Sequence, residues 1–383
     1  MTRPTIVGAV VVAFLAVQAA ARSPQLGGVP PTVRIGLFLD RSVLRLEGET
    51  PITATDVLGG QVLTLVGGPW MIRPAPAGMA IPGTTFGPIA RFAPLAGALS
   101  VNGQAYRGTI EVRRTPSGRL TAINDLDLEQ YLYGVIKGEI DPRWPPEAVK
   151  AQAVAARTLA LETLAASRGK YAGEGYTLRA TTDSQVYLGV AGEDPGATAA
   201  VDATRGVVVT FRGQPIFAAY HSNSGGHTED SENVWGTPHP YLRGVPDPFA
   251  LNGPDEEWAT RLPLAAIEAD LRRGGVSVTG IAAIEPGRMT PWGRAVTVRV
   301  VDEGGRTQEI AANQFRLLLG PTIVRSTMFV ITREGGDISF KGRGSGHGVG
   351  LDQWGARAMA LRGFTLEQIL GYYYTGIVIE RRY

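Results

Sequence analysis

The sequence of 383 residues contains no cysteine, which excludes disulfide bonds and thiolate chemistry. It also has no marked excess of charge of one sign, because 37 Lys and Arg residues are balanced by 35 Asp and Glu residues. Proteins dedicated to nucleic-acid binding usually carry a strong basic excess, so we expect no nucleic-acid partner. No internal repeat is evident, which argues against a solenoid or propeller.

Long apolar runs are absent beyond the N-terminus. Arg3 is the only charge before an apolar run over 6–17, and Ala19, Ala20 and Ala21 follow this run. This pattern predicts a secretory signal peptide over 1–21. The run is shorter than the about 20 residues that span a bilayer, and an uncleaved membrane anchor is the alternative. We therefore expect an extracytoplasmic protein, in the periplasm or cell wall, attached to a membrane only through an uncleaved N-terminal segment.

Glycine and proline are plentiful, with 50 and 26 residues spread along the chain. Such a distribution is typical of short strands and tight turns. We predict an α+β fold of mixed short strands around a long central helix, with an inserted smaller α/β lobe at about 250–330. Residues 22–32 are interpreted as a linker and 33–383 as the folded domain. The strongest local predictions are a hairpin turning at 115–118, a helix over 128–135, a helix over 146–166 ending near Gly169, and a last helix capped by Thr365 with Gln368.

The first cluster of chemically interesting residues surrounds Glu139. This acid lies between two predicted helices, in a connection flanked by glycine and proline, and loop carboxylates on a rigid scaffold are often functional. Lys150 and Arg157 are seven positions apart on the long helix, which places them on one face. The alternative interpretation is a set of surface salt bridges.

The second cluster is YHSNSGGHTE at 220–229, ten residues without an aliphatic side chain. Many small polar groups at close range suit a ligand with many hydroxyls. A metal site formed by His221, His227, Glu229 and His347 is an alternative, although their spacing matches no standard zinc pattern. A Ser–His nucleophile pair is another, but the serines lack the strand–turn–helix setting of such hydrolases.

The third cluster is GRGSGHGVGLDQWGARAMA at 342–360, in which every second residue from 342 to 350 is glycine. Glycine density of this kind suits backbone with unusual dihedral angles or close approach to a ligand. His347, with Asp352, Gln353 and Trp354 beyond it, predicts a polar site covered by an indole. The alternative is a glycine-rich turn before a helix. The tyrosines at 372–374 either stack on sugars or fill a core.

These segments resemble the stage II sporulation protein D (SpoIID/LytB) family, which acts on bacterial cell-wall glycan. The motifs that carry the resemblance occur in the family's order. They are GEIDPRWPPEAVKAQAVAARTLA at 138–160, AAYHSNSGGHTEDSENVWG at 218–236, GRGSGHGVGLDQWGARAMA at 342–360 and GFTLEQILGYYYTG at 363–376.

The resemblance implies a lytic transglycosylase that cleaves MurNAc–GlcNAc bonds in peptidoglycan glycan strands and leaves 1,6-anhydro-MurNAc ends. It implies Glu139 as the catalytic acid and Arg157 as a functionally needed residue. With the clusters above, the expected substrate-binding residues are Lys150, Tyr220, His221, Ser222, Ser224, Gly225, His227, His347, Gln353 and Trp354. No cofactor and no metal are expected, because zinc-binding members of the family use cysteines that this chain lacks.

Two other functions remain open at this point. A non-catalytic peptidoglycan-binding enhancer of a cell-wall amidase would bind the wall without releasing product, and an amidase would then be a partner. A metal-dependent wall hydrolase would lose its activity to a chelator.

The expected chemistry needs a single carboxyl group, because the C6 hydroxyl of the substrate replaces water. Glu139 would donate a proton to the leaving oxygen and then accept one from that hydroxyl, a role that requires a raised pKa. Trp144 could supply an apolar surround. A cation close to a carboxylate lowers its pKa, so we expect Arg157 to contact substrate or support the loop rather than pair with Glu139.

Overall fold

The computed structural model describes residues 28–166, 171–181, 184–250, 253 and 256–383. The predicted signal peptide at 1–21 and residues 22–27 of the predicted linker lie outside the described residues, as does Gly169. Across the described part of the chain, the helices are too short or too polar to cross a lipid bilayer. Helices and short strands are interspersed, which confirms the mixed α+β class.

The N-terminal third of the described chain is built from short antiparallel strands. They are β1 Thr32–Arg41, β2 Leu44–Gly48, β3 Ile52–Asp56, β4 Val62–Leu65, β5 Trp70–Ala75, β6 Gly78–Ile81, β7 Thr84–Phe86, β8 Ile89–Pro94, β9 Leu99–Val101, β10 Gln104–Tyr106, β11 Thr109–Arg114 and β12 Leu120–Asp127. One sheet has the order β1-β12-β11-β8-β3-β4 and the other the order β10-β9-β2-β5-β6-β7. The predicted hairpin is confirmed, since β11 pairs with β12 across the turn at 115–118.

A helical segment with four further short strands follows. Its elements are α1 Leu128–Tyr133, α2 Ile136–Glu139, α3 Pro146–Ala166, β13 Leu178–Arg179, α4 Pro195–Ala203, β14 Val207–Phe211, β15 Gln214–Pro215 and β16 Tyr220–His221, with 3-10 turns at Ala172–Glu174 and Gly189–Gly192. β13 joins the first sheet beside β1. The described part of α3 matches the predicted long central helix, and its buried alanines, including Ala151 and Ala155, let other elements pack closely against it.

The helix predicted over 128–135 is shorter in the structure. α1 ends at Tyr133, and the chain turns at Gly134 before α2 begins at Ile136. The turn depends on close packing, because a Cβ added at Gly134 would lie 2.6 Å from the ring of Tyr187. Periodicity along the chain could not register this contact, since Tyr187 belongs to a distant segment.

The predicted inserted lobe has its own apolar core. After α5 Ser231–Trp235, the lobe contains β17 Trp258–Pro263, α6 Leu264–Arg273, β18 Ile281–Pro286, β19 Thr297–Asp302, β20 Thr307–Ala311, α7 Ala312–Leu319, β21 Phe329–Glu334 and β22 Asp337–Gly342. The strands form two sheets with the orders β17-β22-β21 and β18-β19-β20. The core runs from Trp258 to Phe340, so it includes the hairpin β21–β22 beyond the predicted end near 330.

The closing segment returns to the long helix. It contains β23 Leu351–Asp352, α8 Gln353–Leu361, α9 Leu366–Tyr373 and β24 Val378–Arg381. α9 has the predicted capping box between Thr365 and Gln368. Tyr373 and Tyr374 are fully buried in a core with residues of α3 and β14, so these two tyrosines fill a core and are not available for stacking on sugars.

Candidate active site

Glu139 is the last residue of α2 and is half-buried. Its Oε1 accepts a hydrogen bond from the backbone N–H of Val186 (3.0 Å), and it is also hydrogen-bonded to the phenol of Tyr220. Burial raises the pKa of this carboxyl above its ordinary value, and the two hydrogen bonds offset part of the rise. Glu139 therefore belongs to a helix end, whereas the sequence predicted a loop, and its side chain has the raised pKa that proton donation requires.

The phenol of Tyr220 connects Glu139 to a buried polar network. Gln185 donates through Nε2 to the Tyr220 hydroxyl (3.0 Å), and the Tyr131 hydroxyl donates to Oε1 of Gln185 (3.1 Å). Gln185 and Tyr131 are almost completely buried. Sequence reasoning missed both residues, because neither one lies in the polar loops or beside a recognisable motif.

Tyr220 and His221 belong to a two-stranded parallel ribbon. β16 pairs with β23, so that Tyr220 lies opposite Leu351 and His221 opposite Asp352. Successive side chains of a strand point to opposite faces. Tyr220 therefore contacts Glu139 from one face, and His221 points away from that contact.

The two predicted groove histidines lie together beyond this ribbon. The rings of His221 and His347 are 5.6 Å apart, and His347 is 4.9 Å from Trp235. His221 donates through Nδ1 to the carbonyl of Val349 (3.1 Å). Burial lowers the pKa of His221, while burial and the charges of Arg316 and Arg294 lower the pKa of His347 to about 3. Both imidazoles are therefore neutral near pH 7.

His347 is hydrogen-bonded to the backbone at two positions, including that of Tyr220, whose side chain contacts Glu139. Its ring accepts a hydrogen bond from the N–H of Val349 (3.1 Å) and is hydrogen-bonded to the backbone of Tyr220. The imidazole thus positions the residue whose phenol reaches Glu139, without itself touching the carboxyl.

The glycine-rich loop owes its composition to close packing. Gly348 and Gly350 have positive φ angles of +83° and +72°. A Cβ added at Gly350 would lie 2.2 Å from the carbonyl oxygen of Ala219, and one at Gly348 would lie 2.4 Å from the guanidinium carbon of Arg294. The expectation of unusual dihedral angles is confirmed, and the loop packs closely against other parts of the protein.

Arg294 joins the inserted lobe to the two polar loops. Its Nη2 donates to the carbonyls of Ser224 and His227, and the residue is buried. Burial lowers the pKa of Arg294 to about 10, with Glu229 and Asp352 favouring its charged form. Sequence reasoning missed this residue, because its importance depends on contacts 67 and 70 positions away in the chain.

Several predicted substrate-binding residues are engaged in the loop structure itself. Ser224 is buried, with its hydroxyl donating to Asp247 (3.0 Å) and its N–H to Asp352 (2.6 Å). Gly225 has a φ of +74°, and an added Cβ would lie 3.1 Å from the backbone of residue 343. Ser222 is half-buried, and its carbonyl accepts from the N–H of Trp354 (3.1 Å). Of these three, Ser222 alone keeps substantial exposed surface.

A pair of buried aspartates lies beneath this loop. Asp352 caps α8 by accepting from the N–H of Gly355 (2.9 Å), and it is hydrogen-bonded to Asp247. Burial raises the pKa of both carboxyls, and the charge of Asp247 raises the pKa of Asp352 further. Because Tyr373 also donates to Asp247 (3.2 Å), this pair holds the polar loop, α8 and α9 together.

His227 lies at the boundary with the inserted lobe. Its ring stacks on Trp292 at a centroid distance of 3.9 Å and an interplanar angle of 10°, and its Nδ1 donates to the carbonyl of Thr228 (2.6 Å). In the residues that the structure describes, no three His, Asp or Glu side chains converge as ligands for a metal ion. His221, His227, Glu229 and His347 are thus not brought together as a ligand set.

Gln353 and Trp354 lie at the start of α8, beside the connection that follows Glu139. Gln353 donates to Gln152 on α3 (3.4 Å). The ring of Trp354 packs edge-on against Trp144 at a centroid distance of 4.8 Å. Trp354 therefore packs against the segment that links Glu139 to α3, to which Trp144 belongs.

A family model described as stage II sporulation protein matches residues 116–211. Stage II sporulation protein D of Bacillus subtilis is 33% identical over 285 residues, which cover 71% of this chain and 79% of that protein. The chain belongs to the SpoIID family. An uncharacterised protein of Brachyspira hyodysenteriae is 34% identical over 280 residues, or 73% of each chain. A Bacillus subtilis protein named amidase enhancer is 28% identical over 326 residues, covering 73% of this chain and 45% of that protein.

The segment matched by the SpoIID family model contains Glu139 and Arg157 but ends before the two polar loops. Arg157 is fully buried and makes a two-point contact with Glu129, at 2.8 and 2.7 Å. Its remaining N–H groups donate to the carbonyls of Val201 and Val207. It contacts neither Glu139 nor the solvent-exposed surface. Direct contact of Arg157 with substrate, one of the two expected roles, is therefore contradicted, and support of the fold is the role that agrees with the structure.

Lys150 is the remaining predicted site residue of this SpoIID protein. It lies on the surface of α3, partly exposed, and pairs with Glu147 at 2.8 Å. Although Lys150 and Arg157 lie on the same face of α3, Lys150 reaches solvent and Arg157 is buried. The alternative of surface salt bridges therefore describes Lys150, whereas the ion pair of Arg157 lies in the core.

Proposed function

We propose that this protein is a peptidoglycan lytic transglycosylase that cleaves MurNAc–GlcNAc bonds and forms 1,6-anhydro-MurNAc ends. The observation that carries the proposal is the environment of Glu139, a half-buried carboxyl with a raised pKa whose contacts are an N–H and a phenol. A raised pKa keeps a carboxyl protonated at higher pH, so that it can donate to the leaving glycosidic oxygen.

The second half of the reaction uses the same carboxyl. After the bond breaks, the carboxylate of Glu139 accepts the proton of the C6 hydroxyl as that oxygen attacks C1 of the muramic acid. The hydrogen bonds from Val186 and Tyr220 stabilise the carboxylate in this state. Hydrolytic glycosidases need a second carboxylate to activate water, whereas here the substrate provides the nucleophile.

The substrate surface proposed beside Glu139 consists of Tyr220, Gln353, Trp354 and Trp144. Indole faces pack well against sugar rings, while the amide and the phenol supply hydrogen bonds to hydroxyls. We place this activity outside the cytoplasm, on glycan strands, in keeping with the expected signal peptide.

The deciding experiment compares the wild-type protein with Glu139→Gln on purified wall sacculi, with and without prior amidase treatment. Mass analysis should find anhydro-muropeptides with the wild type and at least about 100-fold less with the variant, the usual contribution of general acid–base catalysis. Glu162→Gln is a matched control, because burial also raises the pKa of Glu162, on α3, and it should keep full activity. Equal product from Glu139→Gln and the wild type would remove Glu139 from the mechanism.

The relative named amidase enhancer favours one second candidate, a non-catalytic wall-binding protein that stimulates an amidase. In that case the wild type would bind sacculi and raise the rate of an added amidase, while releasing no anhydro product of its own. The same mass analysis, run with and without amidase, separates the two functions.

A further inference from the structure

A cavity of about 300 Å³ opens beside Trp354, along the exposed side of α8. Two arginines of this helix segment, Arg357 and Arg362, line it together with Trp354 and Phe249. The cavity shares Trp354 with the substrate surface proposed above, and Trp354 packs on Trp144 of the segment that links Glu139 to α3.

Arg357 is held by aromatic rings rather than by an acid. Its guanidinium lies 5.2 Å from the centre of the Trp354 ring and 5.8 Å from that of Trp144. Its Nε is buried without a hydrogen-bond partner among the described residues. Contacts with indoles orient a guanidinium and remove water from its faces, which leaves the N–H edge to bind a ligand.

Arg362 adds a second cation to the same cavity. It lies over the ring of Phe249 at 5.4 Å, and its Nη1 donates to the carbonyl of Ala358 (3.1 Å). Within the described ranges, neither Arg357 nor Arg362 forms a salt bridge. Asp141, an acid near Arg357, is engaged by Arg143 at 2.6 Å.

Two cations that form no salt bridge with a described residue, set against indole and phenyl rings, have the chemistry of a site for a planar anion. A carboxylate fits best, since its two oxygens match the parallel N–H groups of a guanidinium. Carboxylates of wall glycan have two sources. The lactyl group of muramic acid carries one when no peptide is attached, and stem peptides carry others.

We propose that Arg357 and Arg362 form a carboxylate-binding subsite for the glycan strand, next to Glu139. The inference rests on the proposed function for the identity of the polymer. The subsite would anchor an acidic group of the strand while the adjoining sugar lies along Trp354 and Trp144.

Binding to purified glycan strands tests the subsite in a Glu139→Gln background, so that no strand is cut during the measurement. Three strand preparations are compared at low salt: strands with stem peptides, strands stripped by an amidase, and stripped strands with carboxylates capped as amides. We expect Arg357→Gln to weaken binding of at least one uncapped preparation about 10-fold or more, or about 1.4 kcal/mol. If the lactyl group is the ligand, amide capping and the Arg357→Gln substitution should have equal effects. The parent should then bind capped strands as weakly as Arg357→Gln binds stripped, uncapped strands.

Arg273→Gln is the matched control, because Arg273 is an exposed arginine on α6 in the inserted lobe, and it should bind like the parent. If the arginine substitutions weaken binding of stripped strands more than binding of peptide-bearing strands, the ligand is the lactyl carboxylate. If they weaken binding of peptide-bearing strands more, the ligand is a carboxylate of the stem peptide. Arg362→Gln, which alters an exposed side chain, decides the question if thermal melting shows that Arg357→Gln is unfolded. Unchanged affinity of the folded arginine variants for both uncapped preparations would overturn the proposal.

The outcome is separable from that of the proposed function. Arginine-dependent binding by a protein that releases no anhydro product would keep the subsite and reject the transglycosylase. Release of product with arginine-independent binding would do the reverse.

Discussion

Glu129 and Glu139 lie ten positions apart on neighbouring helices, and the structure gives them opposite electrostatic environments. Burial by itself acts to raise the pKa of both carboxyls. For Glu129, however, hydrogen bonds and charge from Arg157 outweigh burial, so its pKa falls below the ordinary value. In the part of the chain that the structure describes, no cation pairs with Glu139, and its pKa rises. The comparison teaches that the position of one arginine separates a structural glutamate from a candidate proton donor.

Arg157 supports the fold without touching Glu139. Arg157 closes the space between α1, α3 and α4 by pairing with Glu129, which also accepts a hydrogen bond from Tyr383 (2.7 Å). α1 leads directly into α2, which carries Glu139. Loss of the pair would therefore lower the stability of the folded protein, without removing any contact between Arg157 and substrate.

The largest expected effect on stability comes from Arg157→Met, which would leave Glu129 buried without its cation. Breaking a buried ion pair in this way costs about 3–5 kcal/mol of unfolding free energy, measurable by urea denaturation. Activity per folded molecule should persist. Arg143→Met, which removes an exposed arginine, is the control and should leave the midpoint unchanged. If folded Arg157→Met were inactive, the supporting role assigned to this residue would be wrong.

A smaller effect is expected from Tyr220→Phe, which removes the phenol that hydrogen-bonds Glu139. This bond lowers the pKa of the carboxyl, so its loss should raise that pKa further. Because a general acid must be protonated, the high-pH limb of the activity profile should move to higher pH. The limb should stay in place in Tyr106→Phe, whose phenol contacts Gln104 in the second sheet. A shift of the Tyr220→Phe limb to lower pH would contradict the assignment.

The smallest effect concerns how stability depends on pH. For Glu139, the folded-state pKa is raised above 4.5, the ordinary value of a glutamate. Ionisation of this carboxyl therefore destabilises the folded state as pH rises through the folded-state pKa. Glu139→Gln should therefore be more stable than the wild type at pH 7, with the difference vanishing below about pH 4.5.

For Glu129 the sign is reversed, since its folded-state pKa is lowered from 4.5. Its contribution to stability is present above that value and is lost as pH falls through the folded-state pKa. Glu129→Gln should therefore be less stable than the wild type at pH 7, and the gap should narrow in acid. Denaturation midpoints of both variants and the wild type, measured from pH 3 to 7, test these two predictions. If the stability of both variants relative to the wild type changed in the same way with pH, the proposed difference between the two glutamates would be wrong.

Several features were predictable from the sequence because they depend on neighbouring residues. The turn at 115–118, the start of α3 at Pro146 and the capping box at Thr365 follow from local turn, helix-start and capping preferences. The glycine-rich loop was recognisable for the same reason, since positive φ angles at alternating positions require glycine. The partner against which this loop packs was not predictable, because Arg294 lies in a separate lobe.

The amino-acid order alone indicated the hairpin at 115–118, the long helix α3 and the capping box of α9, and its motifs indicated the SpoIID family. Tertiary structure decided which charged groups are paired. Arg157 meets Glu129 across 28 positions, and Glu139 meets Val186 across 47. Backbone preferences act over a few residues and can be read locally, whereas burial and electrostatic interaction depend on distances in space. For this reason the sequence could point to both Glu139 and Arg157, and only the folded chain could show that Arg157 pairs with Glu129.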